Sequence, residues 1–118
     1  MSEKRTNRVA ELVKQILSET IAREMRDPAL QFVTLTKVKL TEDLKEAKIY
    51  FSKMGGPQAR DEALAGLQRA TSHLRGVLAQ RAGLRVVPTL RFLYDDTLDY
   101  VENIERLLRQ AQDRGHQP

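Results

Sequence analysis

Residues 63–94 read ALAGLQRATSHLRGVLAQRAGLRVVPTLRFLY, and in these 32 residues there are five arginines, one histidine and no acid. In the first part Leu64, Leu67, Ala70 or Thr71, Leu74 and Leu78 recur every three or four residues, which draws one apolar stripe along a helix. In the last part Leu90, Phe92 and Tyr94 point one way and Arg91 the other, the period of a half-buried strand. Gly83 stands just past the last helical position, where a left-handed cap is expected. A basic helix therefore feeds a basic strand, and the positive field of the chain is expected to gather there.

Composition bounds the rest. A chain of 118 residues with no evident linker fits one domain. The absence of cysteine excludes a disulfide scaffold and any thiolate site, and fits a reducing compartment. The N-terminal stretch is charged and polar, without the apolar core of a signal peptide, and no run approaches the roughly 20 apolar residues of a membrane span. A cytoplasmic protein without a membrane partner is expected. A net charge of +4 and a pI near 9.6 point to nucleic acid or another anionic surface.

Outward from the basic stretch, residues 1–6 read as a frayed basic arm. From Arg8, the positions Val9, Leu12, Val13, Ile16, Leu17 and Ile21 follow helical spacing up to Arg26, and Asp27-Pro28 ends that helix. Residues 32–40 and 47–52 read as two strands joined by a polar turn at 41–46. In the first strand Val33 and Leu35 share one face but Val38 and Leu40 fall on the other, so a bulge near Thr36 or Lys37 is expected to bring all four to the buried side. Met54-Gly55-Gly56-Pro57 is a loop, with Pro57 at or just before the first turn of the central helix. Thr97, Asp96 or Asp95 caps a last helix over residues 96–110, with Leu98, Val101, Ile104, Leu107 and Leu108 at helical spacing. Residues 111–118 are expected to be a disordered tail. The order helix, strand, strand, long helix, strand, helix predicts an α+β fold whose three-stranded sheet is covered by helices on one face. The other face is left for solvent or a partner.

On the central helix Arg69, His73, Gly76 and Gln80 share one polar face. They form a candidate ridge along phosphates, with Gly76 permitting close approach; the plain alternative is a solvated face. The missing acids favour the ridge, since a merely soluble surface mixes both signs. Arg75, Arg81, Arg85 and Arg91 extend the patch with planar, bidentate phosphate donors, although Arg91 alone would also serve to shield a sheet surface. Lys4, Arg5 and Arg8 form either a second contact or a solubilising terminus, and Lys37, Lys39 and Lys48 are placed on the open sheet face. With three Phe and three Tyr in the chain, and Phe92 and Tyr94 assigned to the core, base stacking is not expected; recognition is of backbone and shape. Asp95, Asp96, Asp99 and Glu102 are the one acidic cluster, read as complementing a helix dipole rather than holding Mg²⁺. Two histidines support neither a triad nor a zinc site, and Gly55-Gly56-Pro57 lacks the lysine or serine of a phosphate loop. No enzyme, metal or cofactor is expected. On one ideal helix Arg81 would fall roughly 40° from the centre of the apolar stripe at about 100° per residue, which points to a break upstream of it.

Arg8-Val9-Ala10-Glu11, Asp27-Pro28, Phe32-Val33-Thr34-Leu35-Thr36, Asp43-Leu44 with Ala47-Lys48-Ile49-Tyr50, and the run from Leu84-Arg85 through Pro88 and Leu90-Arg91-Phe92 to Asp95 together resemble the ribosome-binding factor A family. That family is of the type II KH class, and the likeness spans residues 5 to about 108. The resemblance implies an α-β-β-α(kink)α-β domain over residues 5–95 followed by the C-terminal helix. It implies a factor that binds the small (30S) ribosomal subunit and its 16S rRNA late in assembly, helps mature the 5′ end of that rRNA and supports growth in the cold. An assembly GTPase is a further candidate partner, and a monomer is expected. The rival reading is a protein adaptor that docks another assembly protein through a sheet edge or the last helix. The family kinks its helix at an Ala-x-Gly step; here the step is Ala70-Thr71-Ser72, and the kink is expected to persist without the glycine, because serine and threonine offer hydroxyls to nearby backbone groups.

Overall fold

Helix α1 runs over Glu3–Glu24 and buries Ala10, Val13, Ile16, Leu17 and Ile21 along one stripe. The computed structural model describes residues 3–115. Strands β1 (Thr34–Leu40) and β2 (Glu46–Ser52) pair antiparallel, helix α2 (Gly56–Arg81) crosses back, and β3 (Thr89–Tyr94) joins β2 in parallel. Helix α3 (Thr97–Gly115) follows, so the sheet order is β1-β2-β3 and the class is α+β. Leu35 and Val38 of β1, Ala47, Ile49 and Phe51 of β2, and Leu90 and Phe92 of β3 all turn to the helices. There they meet Leu67, Ala70, Leu74, Val77 and Leu78 of α2 in one cluster with α1.

The parity slip in β1 resolves as expected: Leu35 faces Phe51 and Lys37 faces Tyr50, with Thr36 as the extra residue of the bulge. Leu35 and Val38 are buried, and Val33 and Leu40 pack against the same core. Gly83 has φ 64 and stands just beyond the end of α2, where the Ala82 N–H closes the last turn on the Leu78 carbonyl at 3.0 Å.

Four expectations need correction. Residues 3–6 belong to α1 rather than to a frayed arm, because Thr6 is already buried and Glu3 stands in the first turn, where an acid complements the dipole. Strand β1 starts at Thr34, not at residue 32: Phe32 has φ 62 and is 88% exposed. The chain reaches it from a short 3-10 turn at Pro28–Leu30 that Asp27 caps at the Ala29 N–H, and the Lys53 ammonium gathers the carbonyls of Ala29 and Gln31. At the other end α3 continues past residue 110 to Gly115, through residues such as Ala111 and Gln112 that favour helix. The remainder of the expected tail, 116–118, lies outside the described residues.

The fourth correction concerns the expected break in the central helix. Helix α2 is continuous from Gly56 to Arg81, through Ala70, Thr71 and Ser72. The Thr71 hydroxyl does bond to backbone, but to the Leu67 carbonyl one turn back at 3.1 Å, a contact a continuous helix accommodates. Ser72 is exposed and Ala70 is buried in the core. Arg81 needs no break to leave the apolar stripe. It sits in the last turn, and its guanidinium reaches Glu24 at the end of α1. The close approach on α2 is at Gly66, where a Cβ would stand 3.1 Å from Leu30 Cδ2 and 3.3 Å from Ala29 Cβ; at Gly76 the space is open.

Because position 72 is helical on both sides, Ser72→Pro is expected to cost about 3 kcal/mol in urea unfolding, the full penalty of an interior proline. A loss under about 1 kcal/mol would mean that the helix is interrupted there after all.

Candidate nucleic-acid interface

The arginines of residues 63–94 do not form one continuous free patch. Arg69 donates to Asp27 Oδ2 at 2.8 Å, and Arg81 and His73 both converge on Glu24, His73 Nε2 at 3.6 Å. These acids arrive from α1 and the turn after it, in space rather than in sequence. All three α2 side chains stay about half exposed or more. Gly76 and Gln80 lie exposed on the same helix, and Arg85 is exposed in the loop before β3.

Arg75 has another task. Its Nε donates to the Pro88 carbonyl and its Nη2 to the Val87 carbonyl, each at 3.1 Å, so the side chain ties α2 to the approach of β3. Pro88 is fully buried and fixes that approach. Arg5 and Arg8 are exposed on the first turns of α1, on a different part of the surface from the end of α2 that meets Glu24.

The open face of the sheet carries the exposed side chains of Lys37, Lys39, Lys48 and Arg91. Lys48 emerges from the same alternation that buries Ala47 and Ile49. Two carboxylates of the acidic cluster, those of Asp95 and Asp99, are employed in structure. Asp95 accepts from the Thr36 hydroxyl at 2.6 Å and from the Thr97 N–H at 3.0 Å, and Asp96 offers its carbonyl to the Tyr100 N–H at 2.9 Å. Asp99 pairs with Arg60 at 3.0 Å and accepts from the Tyr94 hydroxyl at 3.1 Å. Arg60 carries no signal in the sequence. Its guanidinium lies 3.7 Å from the centre of the Tyr94 ring, which itself meets Phe51 edge-on at 5.7 Å. Thus the first turn of α3 is held to the body, while Tyr100, Val101, Ile104, Leu107 and Leu108 further along are exposed.

The contacts of Arg75 predict that Arg75→Ala lowers stability by about 1–2 kcal/mol, since two carbonyls lose a charged donor; denaturant unfolding checks this. A second expectation concerns acid. The hydrogen bond from Arg81, with help from His73, holds Glu24 below its usual 4.5. Bonds from Arg69 and the Ala29 N–H hold Asp27 below 3.8, and the hydroxyls of Thr36 and Thr97 hold Asp95 below 3.8. A carboxyl whose folded pKa lies below its unfolded one binds fewer protons when folded, so its contribution is complete above the unfolded value and is lost as pH falls through the folded one. The melting temperature is therefore expected to fall progressively below about pH 4.5. The combination Glu24→Gln, Asp27→Asn, Asp95→Asn should melt lower at neutral pH and lose less on acidification.

A family profile described as Ribosome-binding factor A matches residues 5–108. The Natranaerobius thermophilus protein of that name is 37% identical over 110 residues, covering 93% of this chain and 84% of the relative. The crystal structure of ribosome-binding factor A from Thermus thermophilus superposes with a TM-score of 0.68 at 29% identity, over 75% of this chain and 93% of that one. A homology model of the T. thermophilus factor, as fitted into a cryo-electron-microscopy map of a complex of the factor with the 30S subunit, gives 0.62 at 30% identity, over 73% and 90%. With residues 5–108 matched by the profile and 93% of its length covered by a relative 37% identical, this chain belongs to the ribosome-binding factor A family.

Proposed function

We propose that the chain is a non-catalytic assembly factor that binds the small ribosomal subunit through the phosphate backbone of its 16S rRNA. It acts late in 30S maturation, assists 5′-end processing of that rRNA and supports growth in the cold. In this reading it works in the cytoplasm as a monomer, with an assembly GTPase as a candidate partner. Residues 5–95 serve as the RNA-binding domain and α3 as an appendage.

The observation that carries the reading is where the unpaired cations lie. Lys39, Lys48, Arg85 and Arg91 are exposed on strands and a loop, and none forms an ion pair among the described residues, while Lys37, exposed beside them, lies close enough to Asp95 to help hold its carboxyl low. Cations displayed on an outer surface suit a polyanion larger than the domain, whereas a small substrate calls for convergent groups in a cleft. The T. thermophilus relative fitted to a 30S map supports the choice of partner.

A second reading has its own observation. The exposed apolar side chains of α3 fit an adaptor that docks another assembly protein through this helix. Salt separates the two. Sedimentation through sucrose should place the protein with free small subunits and not with full ribosomes. Its affinity should fall with salt at a slope near −3 for about four phosphates neutralised. A slope near zero would transfer the binding to α3. Cells lacking the protein are expected to accumulate 16S rRNA with an unprocessed 5′ end, most strongly in the cold.

A further inference from the structure

The open face of the sheet concentrates charge without balancing it. Lys39 is the partner of Lys48 in the antiparallel pair, and Lys48 is the partner of Arg91 in the parallel pair, so one cation from each strand stands in a single row. With strands about 4.8 Å apart, the row is roughly 10 Å across. Lys37 begins the neighbouring row beside Tyr50. None of the four cations has an ion pair among the described residues, and only Lys37 lies close enough to an acid, Asp95, to influence its charge.

Such a row works against the fold, since like charges directly opposite one another destabilise a sheet. Protection of bare edges accounts for lysines on β1 and an arginine on β3, which are the outer strands. It does not account for Lys48, because β2 is the middle strand and has no free edge. The acids stand at the margins. Glu46 is half-buried two residues from Lys48, Asp95 and Asp96 lie past the end of β3, and Glu3, Glu11 and Glu42 border the outer side of β1. Asp95 is committed to Thr36 and Thr97. On α2, in contrast, Arg69, His73 and Arg81 already hold carboxylates, which an RNA would have to displace.

We propose that the open sheet face, through Lys37, Lys39, Lys48 and Arg91, is the main surface on which this chain holds the phosphate backbone of rRNA. This rests on the rRNA-binding reading above and names the surface that carries it. A backbone lying across the three strands relieves the repulsion within the row and displaces no internal partner. The contacts are to phosphate, so they position the factor without reading bases.

The test compares two sets of substitutions in the full chain, with purified small subunits and a uridine oligonucleotide as probes. Lys39→Gln, Lys48→Gln and Arg91→Gln together should lower subunit affinity by roughly tenfold or more and flatten the salt slope by about 2, at about 0.7 for each phosphate no longer neutralised. The same three changes should raise the melting temperature of the free protein, because the repulsion has gone. Arg69→Gln with Arg81→Gln should lower the affinity much less. If the ranking is reversed, the sheet proposal is overturned and the site passes to α2, with the rRNA reading intact. If neither set changes binding, both fail. Loss of subunit binding with oligonucleotide binding unaltered would also overturn the proposal, since the face would then meet a ribosomal protein. Lys48→Gln alone, a single exposed change, should show the same raised melting temperature and weakened binding even if the triple variant folds poorly.

Discussion

Ile49 and Phe51, fully buried on the middle strand, set the condition that the other elements obey. A sheet of three strands has one apolar face to hide, and α1 and α2 lie over it with Val13, Leu17, Leu67, Leu74 and Leu78, all fully buried as well. Each such side chain contributes about 1.5–3 kcal/mol on burial. Because successive residues of a strand point to opposite faces, hiding Ile49 and Phe51 sends Lys48 and Tyr50 outward whatever their neighbours are. An unfavourable cross-strand charge pair costs at most about 1 kcal/mol, so packing decides and the charges must accept the places it leaves them.

The same alternation explains which parts of the site were legible in the sequence. Period two fixes the face of a strand residue once the buried partners are known, so the positions of Lys48 and Arg91 on the open face followed from the pattern directly, and those of Lys37 and Lys39 followed once a bulge was placed before them. Ion pairing followed from nothing local. The absence of acids between Ala63 and Tyr94 is a fact about neighbours along the chain, whereas Glu24 and Asp27 reach Arg81 and Arg69 from 57 and 42 residues away. The task of Arg75 was hidden for a related reason. An arginine that binds phosphate and one that binds backbone carbonyls offer the same donors, and only the loop at Val87 and Pro88 tells them apart.

The fold itself was more legible than the site, because hydrophobic period is local and repeats. The errors lie where a second determinant overrode it. Phe32 belongs by composition to a strand, yet the Lys53 ammonium and the turn after Asp27 hold its approach in another path. At Ala70-Thr71-Ser72 an ideal wheel places Arg81 as if it lay in mid-helix; at a helix end a long side chain escapes into space that no neighbouring turn occupies.

Thr36 looks like a minor irregularity in β1, but it acts as a parity switch. Strict alternation from Leu35 would turn Lys37 inward, and an unpaired ammonium there would cost several kcal/mol. With one residue bulged out, Val38 goes in and Lys37 and Lys39 go out. The charge on the open face thus depends on where the strand bulges as much as on the identity of its residues. Evolution of this strand is constrained in a way that substitution alone does not reveal: a point change at Thr36 is a local matter, and even its deletion leaves Leu35 and Val38 on the buried face in regular alternation, while straightening the bulge with the residue kept exchanges inside for outside along half the strand.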